Sequence, residues 1–298
     1  MSVPLKLDKI VFYLTYLTCF IYFVALTLNL ISCNNSTTVV VVSSSAEQAL
    51  KEEFNQTFGA VVAAKDINVD ISQGEIVGII GANGAGKTCF VNMVTGYLAP
   101  TEGSIKFEGA ELVGLGTRKI THAGISRSFQ VSQVFHSMTV SENLMIALAI
   151  ANNRGADALG LMDTPDLRSK LDEVLKRYKL EPQKDATVSA LAQGVRKLLD
   201  IAMAVVSKPR ILLLDEPTSG ISVEEKFDFM DIVMGALKED GVTVLFVEHD
   251  MEIVERYVSR VLAFYQGEII ADMPPKDALA DKKVQEFVIG KEHHKKKK

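Results

Sequence analysis

The segment from Gly81 to Thr88 combines the backbone freedom and the side chains that phosphate binding requires. It matches the pattern of a glycine, four variable residues, a second glycine, a lysine and a serine or threonine. Glycines let the backbone turn its N–H groups inward around phosphate oxygens, and a helix N-terminus adds a favourable field. Lys87 is expected to reach the β- and γ-phosphates, and the Thr88 hydroxyl to bind Mg²⁺. The chain is therefore predicted to bind a nucleoside triphosphate.

The sequence on either side predicts a strand before this loop and a helix after it. Glu75 to Ile80 is a short apolar run typical of a buried strand, and Cys89 to Thr95 can continue as a helix. Cys89 falls in the first turn of that helix, where its thiol is either reactive or simply half-buried. The residues of the predicted nucleotide site are Gly81, Ala82, Asn83, Gly84, Ala85, Gly86, Lys87, Thr88 and Cys89.

Two further apolar runs end in residues that could act on a bound phosphate. Asp215 and Glu216 directly follow the run Ile211 to Leu214, and His249 is the second residue after the run Val242 to Val247. Ligands of parallel sheets bind beyond the carboxyl ends of the strands. We therefore expect Asp215 to hold Mg²⁺, Glu216 to polarise the attacking water and His249 to hydrogen-bond the γ-phosphate. The alternative for Asp215 and Glu216 is a strand that ends in a solvated turn, and the alternative for His249 is an ordinary surface residue.

The order of elements needed to position these residues predicts an α/β fold. From about Ala46 the pattern alternates strands and helices, which is typical of a mostly parallel sheet covered by helices. Ile105 to Phe107 and Ile125 to Phe129 are further candidate strands. Between Thr139 and Tyr178 the pattern is helical, with a capped start expected at Ser141. A helical subdomain inserted into an α/β core is the simplest organisation.

The N-terminal block, residues 1–45, differs from the rest of the chain. Ile10 to Ile31 is an uncharged apolar run about long enough to span a bilayer. It could be a membrane anchor, an export signal in which Leu30 to Cys33 resembles a lipobox, or an extension that the working domain does not use. If the run were an anchor or an export signal, the lysines before it would place the nucleotide site outside the cell, where little ATP is present.

Composition limits the classes of partner. The chain has 298 residues, 48% hydrophobic content and a formal net charge of −5, which argues against nucleic acid as the main partner. Its three cysteines have no metal-ligand spacing, so neither a zinc site nor a disulfide framework is expected. The protein is expected in a reducing compartment. The tail, residues 291–298, is a run of lysines and histidines that is expected to be solvated, with weak attraction to anionic lipids as the alternative.

From about Ala46 to Gly290 the sequence resembles the ATP-binding subunits of ABC transporters. The stretches that carry the resemblance are the Walker A loop Gly81–Thr88, the Q-loop Gln130, the signature region Leu191–Arg196, the Walker B pair Asp215 and Glu216, the D-loop Ser219–Ser222 and the switch histidine His249. It implies a P-loop NTPase with an N-terminal β subdomain and a helical subdomain at about 139–195. It also implies that Phe58 stacks on adenine, and that Gln130 contacts Mg²⁺ and water and couples to the membrane domain.

Within that family the sequence is most similar to the ATPases of branched-chain amino acid and urea importers, on Ala123–Gln130, Leu199–Ala202, Val247–Met251 and Val284–Gly290. The resemblance implies a peripheral subunit at the cytoplasmic face of the plasma membrane. It would pair with a second ATP-binding subunit, identical or different, and dock on transmembrane permease subunits. A solute-binding protein, as an indirect partner, would deliver solute to the permease. Catalysis would depend on Glu216, His249, Lys87 and Gln130, and Mg²⁺ on Thr88, Gln130 and Asp215.

The signature region departs from the family's Leu-Ser-Gly-Gly-Gln. Ala192 replaces the serine, Gln193 follows it, Gly194 remains and Val195 replaces the final glutamine. The hydroxyl donor to the partner subunit's ATP is lost, although backbone N–H groups at the start of the next helix still favour an anion. We therefore expect this subunit to pair with a different ATPase, with two unequal sites. Ser222 also stands where the D-loop commonly has aspartate.

Two other functions remain open. A soluble ABC-type ATPase of DNA repair or chromosome organisation would need coiled coils, a zinc insert or a basic face, and the sequence offers none. A regulatory subunit that binds nucleotide without turnover is favoured only by the altered signature, and the presence of Glu216 and His249 argues against it.

Overall fold

A computed structural model describes residues 39–43, 56–58, 61–128, 132–152 and 164–290, and for 39–43, 56–58 and 61–63 it describes the backbone alone. The apolar run Ile10–Ile31, the residue Gln130 and the tail 291–298 lie outside the described residues. Within the described residues, no helix combines the length and the apolar character needed to cross a bilayer.

Strands and helices alternate along the chain from the phosphate-binding loop onward. The strands are β1 (Val39–Ser43), β2 (Gln56–Phe58), β3 (Val61–Ala64), β4 (Asn68–Ser72), β5 (Ile76–Gly81), β6 (Ile105–Phe107), β7 (Ala110–Glu111), β8 (Ile125–Ser128), β9 (Ile211–Asp215), β10 (Thr243–Val247), β11 (Arg260–Tyr265) and β12 (Glu268–Met273). The helices are α1 (Lys87–Val94), α2 (Thr117–Ala123), α3 (Val140–Ala151), α4 (Pro165–Arg177), α5 (Gln193–Val205), α6 (Lys226–Glu239), α7 (Met251–Tyr257), α8 (Pro275–Ala280) and α9 (Lys282–Phe287).

The central sheet of the described chain has the strand order β12-β11-β5-β10-β9-β8. Its strands run parallel except β12, which is antiparallel to β11. The mostly parallel sheet predicted from the sequence is therefore confirmed. In the register of β10, Val247 lies beside Ile79 of β5 and Asp215 of β9. The carboxyl ends of β5, β9 and β10 thus lie at one edge of the sheet. The residues that follow these strands can act on one bound ligand only if the strand ends are neighbours in this way.

Successive residues of β9 face opposite sides of this sheet. Ile211 and Leu213 are buried with the α1 residue Phe90, whereas Leu212 and Leu214 are buried in the other core cluster, with α5 and α6. Burying one such aliphatic side chain stabilises the fold by roughly 1.5–3 kcal/mol. Because the pleat continues, Asp215 falls on the same face as Leu213, which is the face that carries the phosphate-binding loop and α1.

A second sheet has the order β4-β1-β6-β7, in which β1 pairs in parallel with both β4 and β6. The strand β1 lies inside the block 1–45 that the sequence sets apart from the ATPase domain. The compact unit that contains the site spans Asn35–Lys298, so its first strand precedes the boundary expected at Ala46. Four consecutive valines, Val39 to Val42, favour this extended pairing.

The helix expected to start with a cap at Ser141 is instead capped two residues earlier, by Thr139, and runs from Val140. The Thr139 hydroxyl accepts a hydrogen bond from the Glu142 N–H at 3.1 Å, and the Glu142 carboxylate accepts one from the Thr139 N–H at 2.8 Å. This reciprocal capping box needs a Glu three residues after the cap, which Thr139 has and Ser141 does not. The Ser141 hydroxyl donates to the Lys184 carbonyl.

Candidate functional site

The loop between β5 and α1 forms a cradle that requires glycine. Gly84 and Gly86 have φ of 80° and 105°, in the left-handed region that favours glycine. At Gly81, with φ of 156°, an added Cβ would lie 2.6 Å from the carbonyl oxygen of Phe264. The backbone therefore passes β11 with no room for a side chain, and its turn leads directly into the N-terminus of α1.

The ammonium group of Lys87 lies over this loop. Its Nζ donates to the carbonyl oxygens of Gly81 at 2.6 Å and Ala82 at 3.1 Å. Burial lowers the pKa of Lys87, and the nearby carboxylates of Glu216 and Asp215 oppose that shift. A buried cation held by two neutral carbonyls is suited to an added anion, because a phosphate would supply the charge that the loop lacks.

Asp215, at the end of β9, is paired with a cation from the neighbouring strand. The Nη2 of Arg127 lies 2.5 Å from Asp215 Oδ2, and the Nη1 donates to Asn92 Oδ1 of α1 at 2.6 Å. The Asp215 side chain is 15% exposed and that of Arg127 only 8%. The predicted Mg²⁺ ligand therefore already has a close cationic neighbour.

Glu216 occupies a strained position beside His249. Its φ is 47°, which is uncommon for a residue with a Cβ and costs on the order of 1–3 kcal/mol. Its carbonyl accepts from the buried Lys197 Nζ at 2.7 Å and from the Ser219 N–H at 3.1 Å. The carboxylate Oε1 lies 3.1 Å from His249 Nε2. The structure therefore brings the predicted base and the predicted switch histidine into direct contact.

The buried carboxylate of Glu248 joins the two loops that carry Glu216 and His249. It accepts from the N–H and hydroxyl of Thr218 at 3.1 Å and 2.5 Å. On its other side it accepts from the N–H groups of His249 at 2.9 Å and Asp250 at 3.3 Å. With 3% exposure, Glu248 is a fixed connection between the ends of β9 and β10.

The signature region contacts the D-loop of the same chain. Ala192 is the N-cap of α5, in extended conformation and without a side-chain cap. The Gln193 amide donates to the Ser219 carbonyl at 3.3 Å and lies directly against Gly220. Ser222 exchanges hydrogen bonds with Glu225 at the start of α6. A serine there keeps the turn that an aspartate could also form.

The remaining predicted residues have simple placements. Thr88 is exposed in the first turn of α1, and Cys89 is half-buried beside it. Gly194 lies in the first turn of α5, near Ile221. Phe58 is described by its backbone only, in β2, and Gln130 lies outside the described residues. The contacts expected of Phe58 and Gln130 stay predictions.

The sequence reasoning missed the residues that support the site, among them Arg127, Lys197, Asp200 and Glu248. A signal existed for Arg127, because it lies two residues after the buried Ile125 in β8 and so shares its face, which places a charge on a core face. Glu248 follows directly on a wholly buried strand. Lys197 and Asp200 lie on the apolar face of α5, where a charge needs a partner.

Asp200 binds residues on both sides of the segment 129–131. Its carboxylate accepts from the Ser128 hydroxyl at 2.5 Å and from the Gln133 N–H at 2.7 Å. Burial raises its pKa, against the effect of these hydrogen bonds and of Lys197. A carboxyl group whose folded pKa is raised binds its proton more tightly in the folded state. Stability therefore falls as pH rises from the ordinary carboxyl value through the folded one.

We expect Asp200→Ala to lower the free energy of unfolding by about 1–3 kcal/mol, because the buried Ser128 hydroxyl and the partly buried Gln133 N–H lose their acceptor. Asp200→Asn should be at least as stable as wild type at pH 7. Its Oδ1 can accept from the Gln133 N–H while its Nδ2 donates to the Ser128 hydroxyl oxygen, and no charge is buried. It should also lack the decrease in stability across the carboxyl titration. Urea denaturation from pH 4 to 8 measures this; an Asp200→Asn variant as unstable as Asp200→Ala would contradict it.

Comparisons with known proteins agree with this geometry. The family model described as ABC transporter matches residues 64–219. The chain is 35% identical over 226 residues to the high-affinity branched-chain amino acid transport ATP-binding protein BraF of Pseudomonas aeruginosa, covering 74% of this chain and 88% of that protein. It is 34% identical to LivG of Escherichia coli, with the same coverage. The ADP conformation of MJ1267, an ATP-binding cassette of an ABC transporter, superposes with a TM-score of 0.69 at 30% identity, covering 79% of this chain and 96% of that one.

Proposed function

This chain belongs to the ABC transporter family, as an ATP-binding subunit that hydrolyses ATP, and we propose that it powers the import of branched-chain amino acids or a similar small polar solute. The observation that carries the proposal is the meeting of the Gly81–Thr88 loop, Asp215, Glu216 and His249 at one edge of the sheet. The solute follows from the names of BraF and LivG, which are branched-chain amino acid transport proteins.

The residues at the edge divide the work of phosphoryl transfer. Lys87 and the loop N–H groups bind the phosphates, Glu216 orients and deprotonates the attacking water, and His249 holds Glu216 through the contact at 3.1 Å. The strained backbone of Glu216 is fixed by Lys197, so the carboxylate is positioned before the nucleotide arrives.

A magnesium ion fits the oxygen donors at this edge. Thr88, Asp215 and, from the resemblance, Gln130 would hold it together with the nucleotide's phosphates. Among the described residues there is no cluster of three or more His, Cys, Asp or Glu side chains for a metal. One carboxylate plus phosphates is what Mg²⁺ commonly uses in nucleotide sites. When bound, the ion neutralises charge on the β- and γ-phosphates.

The working unit in this proposal is a pair of ATP-binding subunits docked on transmembrane permease subunits at the cytoplasmic face of the membrane. Each ATP lies between the Gly81–Thr88 loop of one subunit and the signature region of the other. Closure of the pair is a ligand-driven population shift, and hydrolysis reverses it. A solute-binding protein delivers the solute to the permease.

The test is phosphate release and solute uptake by proteoliposomes that contain the full chain with its permease. We expect ATP-dependent uptake of labelled leucine, isoleucine or valine, together with phosphate release that exceeds that of the chain alone. Phosphate release that is indifferent to the permease, with salt-dependent DNA binding, would instead support a non-transport ATPase.

A regulatory nucleotide-binding subunit is the second candidate, and Ala192 in the signature region is the observation that favours it. It predicts tight ATP binding without phosphate release, whether the permease is present or not. The same proteoliposome assay therefore separates the two functions.

A further inference from the structure

The pairing of Arg127 with Asp215 follows from the register of β8 and β9. Arg127 lies beside Leu213, so its side chain leaves the sheet on the face of Leu213 and, two residues on, of Asp215. This is the face covered by α1. The guanidinium can therefore reach the Asp215 carboxylate along the sheet and Asn92 of α1 across it, and it does both.

The guanidinium is held in a fixed orientation. One nitrogen binds Asn92 at 2.6 Å, another binds Asp215 at 2.5 Å, and the central carbon Cζ lies 5.9 Å from the centre of the Tyr97 ring. The arginine side chain is 8% exposed, so water screens the pair weakly. A planar fork held at two points is a persistent cationic partner for the carboxylate.

Asp215 is also the carboxylate that the proposed function assigns to Mg²⁺. A magnesium ion near Asp215 would share this carboxylate with a guanidinium, and the two cations repel one another. We propose that Arg127 is the built-in counter-cation of Asp215 and that it sets the magnesium requirement of nucleotide binding. It holds the Asp215 carboxylate in place, and it weakens Mg²⁺ binding by competing for the same carboxylate. Arg127 is therefore a positioning residue; its role rests on the proposed function.

The experiment measures how strongly Mg²⁺ enhances ATP binding to the full chain, as the ratio of the Kd for ATP in EDTA to the Kd in excess Mg²⁺ by isothermal titration calorimetry. In Arg127→Met this ratio should rise about 10-fold, or about 1.4 kcal/mol. Arg127→Lys, which keeps the charge, should stay within about 3-fold of wild type. Arg118→Met, an exposed arginine on α2, is the matched control and should leave the ratio unchanged.

A double-mutant cycle with Asp215→Asn separates competition from a general loss of structure. In the Asp215→Asn background the ratio should be low and Arg127→Met should no longer raise it. A ratio in Arg127→Met that is unchanged or lower, with normal wild-type enhancement, would overturn the role of Arg127 alone. A wild-type chain without magnesium-enhanced ATP binding would overturn the proposed function, and this inference with it.

Discussion

Replacing Glu216 by glutamine should reduce phosphate release on the order of 10²–10⁴-fold, while ATP binding changes by no more than a few-fold. A positioned general base contributes about that much to a reaction, and glutamine removes the proton acceptor while keeping the shape of the side chain. The backbone at Glu216 has φ of 47°, so the site orients this side chain whatever its charge. The amide can still meet His249 where the carboxylate Oε1 lies 3.1 Å from Nε2. Single-turnover phosphate release and an ATP titration measure the two effects separately.

The control for this variant is Glu255→Gln, which neutralises an exposed carboxylate on α7. It should retain the rate of wild type, because it makes the same change in net charge at an exposed side chain that is not part of the site. A Glu216→Gln variant that releases phosphate within 10-fold of wild type would show that another group activates the water. A variant that loses ATP binding as well would assign Glu216 to binding instead of to the chemical step.

The sequence predicted those parts of the site whose structure is determined by short, contiguous segments of the chain. The apolar run before Gly81 and the glycines at 84 and 86 specify a strand, a turn with positive φ and a helix, whatever the rest of the chain does. The runs ending at Asp215 and Val247 specify buried strands by their composition. Parallel strands of one sheet have their carboxyl ends at the same edge, where ligands bind. The residues after these strands are therefore expected at one site even when the strand order is unknown.

The supporting contacts could not be predicted because they depend on which strands are neighbours. Arg127 and Asp215 are separated by 88 residues, and Ser128 and Asp200 by 72. The apolar runs fit several strand orders equally well, and only an order with β8 beside β9 brings Arg127 to Asp215. The second pair also depends on the packing of α5 against β8. A cap is local, yet the prediction of Ser141 was wrong, since the nearby Thr139 offers the same chemistry with Glu142 at the right spacing.

Restoring the hydroxyl at the signature, by Ala192→Ser, should raise turnover about 10- to 150-fold in a pair built from two copies of this chain. A hydrogen bond to a charged group contributes about 1.5–3 kcal/mol, and a serine at this N-cap would present its hydroxyl to the partner's γ-phosphate. In a pair with a different ATPase only one of the two sites should respond. Phosphate release from homodimers and heterodimers, compared with Ala190→Ser on the exposed segment just before, measures the effect.

The same substitution carries an internal check on whether the serine is placed as intended. Ala192 has φ of −61° and ψ of 155°, the conformation in which a serine oxygen accepts from the N–H of the third helical residue, Val195. Ala192→Ser should therefore raise the free energy of unfolding by about 0.5–2 kcal/mol, independently of ATP. A variant with the added stability and unchanged turnover would mean that the backbone N–H groups of α5 suffice for the partner's phosphate. The altered signature would then be no obstacle to two equal sites, and the expectation of an unequal pair would be wrong.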